Sequence, residues 1–167
     1  ELSSASTFTD QAGAADLSAS GSPTLNASGI NGNQTVSLNG STDYYSGSLT
    51  ETQPIDVFIV GQKVEGGDGG VYSTSQTGAH PRFTDTDTDG FQLDAGFQIS
   101  SNVESLSPEI FLTQLDGANS AIYISDADTA SVSADAGGDN FGGTFYLGVN
   151  GADSFHLESE FGQILFY

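Results

Sequence analysis

The chain has 167 residues and a formal net charge of −20, with 22 acidic residues against two basic ones, Lys63 and Arg82; so dense a negative charge repels phosphate backbones and anionic membrane surfaces, which excludes nucleic acid as a partner. With no Cys it has neither a thiolate metal site nor a disulfide framework, and with no apolar run near the roughly 20 residues that cross a bilayer, no membrane insertion is expected. The 22 Gly, 11 Phe and 6 Tyr, without Trp or Met, are the balance of an all-β protein with many turns, and the length suits one domain with a real core.

The first ten residues, ELSSASTFTD, have small and hydroxyl side chains, one large apolar anchor at Phe8, and no helical periodicity. They predict a strand-like arm over 1–10 ahead of a β-sandwich over 11–167, and the arm is a candidate donor strand for a sheet, its own or a neighbour's. The start at Glu1 and the absence of Met fit a mature chain from which a leader has been removed, hence export.

Between residues 11 and 43, Leu17, Leu25, Ile30, Val36 and Leu38 are spaced among Ala, Ser, Gly and Asn, which predicts short strands joined at Asn31-Gly32 and Asn39-Gly40. Three glycosylation sequons fall in this stretch, at Asn26, Asn33 and Asn39, and their density favours a secreted, glycosylated face. Pro54 then opens Ile55-Asp56-Val57-Phe58-Ile59-Val60, the most apolar run and a good central strand. The loop from Glu65 to Gly70 is rich in Gly, but Glu65 and Asp68 sit inside it and no Gly-Lys-Ser/Thr follows, so it is no phosphate cradle.

Asp85-Thr86-Asp87-Thr88-Asp89-Gly90 matches the opening of a calcium loop, where alternate carboxylates converge on one cation and Gly takes the turn. The twelfth position is Gly96 instead of an acid and no helices flank it, so it is no EF-hand; a structural Ca2+ held by Asp85, Asp87 and Asp89, with Asp94 or the pair Asp126/Asp128 completing the shell, is the candidate ion site. The competing reading is a solvated acidic turn. Directly after it, Phe91, Leu93, Ala95, Phe97 and Ile99 alternate with Gln92, Asp94 and Gln98, which predicts one half-buried strand over 91–99.

Further strands are expected at 110–115 and 121–125 as a hairpin about Asp116-Gly117, around Phe145 to Val149, and from Phe155 to Leu157 after a turn at Asn150-Gly151. Phe161 to Tyr167 closes the chain, with Ile164 and Phe166 on one side. About nine to eleven short strands with frequent turn signals point to an all-β single-domain two-sheet sandwich or jelly roll.

No catalytic constellation accompanies this fold. His80 and His156 are isolated, G-x-S-x-G is absent, and the lack of Trp argues against both a glycosidase and a sugar-binding platform. An enzyme is therefore not expected. Thr7-Phe8-Thr9-Asp10, followed by a Gly/Ala-rich turn and Asp16-Leu17, resembles the opening of TasA/camelysin-type secreted fibre subunits and archaeal bundling pili. That resemblance implies a jelly-roll subunit whose N-terminal strand completes the sheet of the next copy. The expectation is thus an extracellular subunit that self-assembles into a filament, pilus or lattice through its arm, with Leu2 and Phe8 in the contact. The alternatives are a calcium-dependent binding or adhesion module and a jelly-roll viral capsid or spike protein.

Overall fold

The computed structural model describes residues 2–9, 16–64, 68–75, 82–86, 90–101, 103, 105–125, 131–151 and 155–167, with the side chains of residues 2, 3 and 82 left aside. Its strands are β1 (Leu2–Ser4), β2 (Thr7–Phe8), β3 (Leu17–Ser20), β4 (Thr24–Asn26), β5 (Thr35–Asn39), β6 (Tyr44–Ser48), β7 (Ile55–Lys63), β8 (Gly69–Thr74) and β9 (Arg82–Thr86). They continue as β10 (Gly90–Asp94), β11 (Gln98–Ser100), β12 (Glu109–Leu115), β13 (Ser120–Ile124), β14 (Val132–Ala134), β15 (Thr144–Leu147), β16 (Val149–Asn150), β17 (Phe155–His156) and β18 (Glu158–Phe166). The only described helical pieces are two 3-10 turns at Ile30–Gly32 and Gly117–Asn119.

Two antiparallel sheets make the sandwich. One runs β1-β2-β3-β6-β15-β8-β9-β10-β11 and the other β14-β13-β12-β7-β18-β5-β4, with β16 and β17 as a separate small hairpin. The all-β sandwich read from the sequence is what the chain forms.

Period-2 alternation explains the facing layers. In β7 every odd position from Ile55 to Lys63 is buried and every even one is half-exposed, as expected for a strand with one face in the core. Tyr72, Phe83, Phe91, Phe111, Phe145 and Phe166 meet in a continuous run of rings, the closest pair being Phe91 and Phe111 at 4.6 Å. Offset and edge-on packing of this kind adds to simple area burial. The Tyr72 hydroxyl reaches across the core to Thr113 Oγ1 at 2.8 Å, so the one polar tip in the run is satisfied.

The predicted single strand over 91–99 is corrected to a hairpin. The chain runs as β10, turns at Ala95, Gly96 and Phe97, and returns as β11 with Leu93 opposite Ile99. Asp94 Oδ1 accepts the Gly96 N–H at 2.9 Å and Gly96 adopts a φ of +117°, an Asx-type turn that the alternating apolar pattern conceals. Phe97, expected in the core, is 65 % exposed at the turn.

The segment after β15 folds back over the outer face of β8. A Cβ on Gly70 would lie 2.2 Å from the backbone nitrogen of Asn150, and one on Gly69 would lie 2.8 Å from Leu157, so the paired glycines are what lets the β16-β17 hairpin sit directly on the strand.

Candidate assembly interface

The N-terminal arm lies in the chain's own sheet. Leu2 pairs with Phe8 within the β1-β2 hairpin, and Phe8 pairs with Leu17 of β3. Phe8 is buried with its ring edge-on to Tyr45 at 4.7 Å. The Tyr45 hydroxyl donates to the Ala5 carbonyl at 2.6 Å and the Ala19 N–H donates to the Ser6 carbonyl at 2.9 Å. Burial, reinforced by the nearby Asp43 carboxylate, pushes the Tyr45 phenol up to about 12, so it stays a hydrogen-bond donor throughout the neutral range.

The seat of the arm is therefore a slot formed by β3 and β6: an apolar hole for one ring, floored by Tyr45, and a backbone edge for the strand. Full burial of a Phe ring contributes about 1.5–3 kcal/mol. Beyond the arm the sheet ends at β1, and edge strands carry unpaired backbone groups that another strand can meet. The arm was legible as a strand with a single anchor; that its anchor has a seat in the same chain needed the structure.

The proposed calcium shell does not form from the described aspartates. Asp85 is fully buried on β9 and its carboxylate is paired with Lys63, which reaches in from β7 of the opposite sheet. Phe91 is opposite Asp85 and Asp94 is opposite Arg82. Asp85 and Asp94 are therefore three register positions apart, about 10 Å along the strands, and on opposite faces of the sheet. Asp85 and Asp94 cannot share one ion, and Asp94 is instead occupied with its own turn. Asp87, Asp89, Asp126, Asp128 and His80 lie outside the described residues. Among the described residues no three His, Asp or Glu side chains cluster as a metal site.

Asn26 ends the edge strand β4, Asn33 lies in the loop before β5, and Asn39 ends β5. Asn26 Nδ2 donates to Glu160 Oε1 at 2.8 Å, and Asn39 Nδ2 to Thr42 Oγ1 at 2.9 Å, while Asn39 Oδ1 accepts the N–H groups of Ser41, Thr42 and Asp43. Asn33 is exposed and makes no such bond. His156, isolated in the sequence, is half-buried beside Tyr44, at a ring separation of 5.8 Å.

No protein-family model and no curated protein matches the chain. Solved structures do share its fold. Over 99 % of its length the chain aligns with a sialidase from Trypanosoma rangeli in complex with the inhibitor DANA, with a TM-score of 0.69 and 10 % identity, and it spans only 29 % of that protein. It also aligns over 88 % of its length with 75 % of domain 4 of AbnA, a GH43 extracellular arabinanase from Geobacillus stearothermophilus in complex with arabinotriose, with a TM-score of 0.69 and 13 % identity. At such identities the likeness is one of fold alone, and the fold is that of a β-sandwich module found as part of larger proteins.

Proposed function

We propose that the chain is a non-catalytic extracellular structural subunit that assembles by exchange of its N-terminal strand. The observation that carries this reading is the seat of the arm: one anchor ring, Phe8, in a hole beside Tyr45, and a short hairpin at the very edge of a sheet. A slot that accepts the chain's own arm accepts the identical arm of a second copy, because every contact is reproduced. Repeated head to tail, such an exchange does not close and grows into a fibre. The resemblance of Thr7-Phe8-Thr9-Asp10 to secreted fibre subunits supports the same reading.

The test uses the full chain, a form lacking residues 1–10, and the synthetic peptide ELSSASTFTD. The full chain is expected to form fibres by electron microscopy and the truncated form to stay soluble and unassembled. The peptide should bind the truncated form, and a peptide with Phe8→Asp should not. Fibres from the truncated form, or failure of the unaltered peptide to bind it, would overturn strand exchange.

A second reading, a binding or adhesion module, is favoured by the likeness in fold to a domain solved with arabinotriose. The two readings are compatible, since the arm occupies a sheet edge and leaves the sheet faces to other uses.

A further inference from the structure

The outer face of the nine-stranded sheet is covered by the β16-β17 hairpin over β8, whereas among the described residues nothing lies over the half formed by β3, β6 and β15, whose outward side chains are exposed or half-buried. Leu17, Tyr45, Phe145 and Leu147 of these strands point into the core. By alternation, Ser18, Ser20, Tyr44, Ser46, Thr144 and Tyr146 point outward. The register sets Ser18 opposite Ser46 and Ser20 opposite Tyr44, and then Ser46 opposite Tyr146. With strands about 4.8 Å apart, the row from Ser18 through Ser46 to Tyr146 is about 10 Å long.

The aromatic side chains of this face gather at one place. Tyr44 and Tyr146 meet edge-on at 5.9 Å, and His156 comes down from the hairpin to within 5.8 Å of Tyr44. All three are half-buried, so each is held by its neighbours and still presents surface. The hydroxyls around them are uncommitted: no described partner takes the side chains of Ser18, Ser20, Tyr44, Ser46 or Tyr146. Ser73, the next residue in the row, shows the contrast: its hydroxyl donates to the Val149 carbonyl and accepts the Gly151 N–H, so the covered half of the face is satisfied within the protein. His156 Nδ1 is also buried without a hydrogen-bond partner, an arrangement that proteins rarely leave in place.

We propose that this open half-face is a binding site for a neutral saccharide. Rings of Tyr44 and Tyr146 offer apolar surface to the C–H face of a sugar, and the flanking Ser and Tyr hydroxyls, each both donor and acceptor, match sugar hydroxyls of either sense. Charge selects the class of sugar. The outward positions of β3, β6 and β15 include no acid or base, and the net charge of −20 repels uronates, sulfated glycans and sialic acids. The site rests on the binding-module reading and is independent of strand exchange.

Calorimetric titration of the full chain with neutral arabino-, xylo-, manno- and cello-oligosaccharides, and with anionic oligogalacturonate and sialyllactose, tests the proposal. A neutral oligosaccharide is expected to bind, to shift the ring signals of Tyr44 and Tyr146 in NMR spectra of the unaltered protein, and to bind at least about tenfold more weakly to Tyr44→Ala and Tyr146→Ala variants of unchanged melting temperature. The NMR shifts keep the test decisive should a variant fold poorly. A neutral sugar that binds with shifts elsewhere, or that both variants retain, overturns this site and leaves a binding module standing. Equal or tighter binding of the anionic glycans overturns the ligand class, and no binding of any glycan at millimolar concentration overturns the site and the binding-module reading together.

Discussion

Lys63 and Asp85 are taken out of water together, one from each sheet, so their pairing ties the two layers through a buried pair of charges. Desolvating two charges costs several kcal/mol per ion, which their mutual attraction offsets only when both are present. Asp85→Asn or Lys63→Met alone should therefore lower stability by about 3–5 kcal/mol, whereas Lys63→Met combined with Asp85→Leu should recover most of that loss. Urea unfolding of the three variants checks this, and additive losses in the double variant would count against a coupled pair. Asp85 was visible in the sequence only as one of three alternating aspartates. The signal that separates it from an ion ligand is its place on the same side of the strand as Phe83, which becomes meaningful once a buried Lys is known to face it. Tyr45 has a pH consequence of its own. Its folded pKa of about 12 lies above the ordinary value of 10.0. Between those values the unfolded chain loses the proton first, so stability is complete below pH 10 and falls as pH rises towards 12. Tyr72, pushed up by burial as well, acts in the same direction. Denaturation midpoints that stay level from pH 9 to pH 12 would contradict this assignment.

Elements were legible where a strand buries one face and obscure where it buries two. β7, β12 and β15 alternate cleanly, as does β18 up to its bulge after Phe161, and the apolar residues named from the sequence, such as Val57, Ile59, Phe111, Phe145 and Phe161, are in the core. β8 is buried at all six positions because the β16-β17 hairpin lies on its outer side, and no period marks such a strand. The 91–99 segment misled for the opposite reason. Its alternation persists through Ala95 and Phe97, but Asp94 and Gly96 supply a turn whose chemistry is local. The same limit explains the aromatic face: Tyr44 lies about a hundred residues before Tyr146 and His156 in the chain, and the three are adjacent only through the β6-β15 register and the hairpin above it. The lack of Trp gave no hint of this cluster, because its two tyrosines and imidazole come together only through sheet pairing and the hairpin.

At the scale of the whole molecule, a net charge of −20 with one of the two basic residues buried in an ion pair leaves the surface overwhelmingly anionic. Self-repulsion of those carboxylates favours the expanded chain and is set by the screening length, which falls from about 30 Å at 0.01 M to about 3 Å at 1 M ionic strength. The urea midpoint should therefore climb steeply from dilute buffer to about 1 M NaCl, as screening removes the repulsion between neighbouring carboxylates. Above that concentration, further gains should depend on the salt, larger for sulfate than for chloride, because they come from exclusion of the salt from the surface instead of from screening. The proposed strand exchange would add a second, separable signature. Each copy that joins a fibre brings the full −20 against its neighbour, so assembly of the full chain should have a higher salt threshold than folding, while binding of the ELSSASTFTD peptide, whose side chains carry only Glu1 and Asp10 as charges, should be far less salt-dependent. Circular dichroism for the fold, light scattering for the fibres and titration for the peptide, run across one NaCl series, measure the three separately. A midpoint that is flat from dilute buffer to 1 M NaCl would show that the acidic surface is not under strain, and identical salt thresholds for fibre growth and for peptide binding would remove charge as the control on assembly.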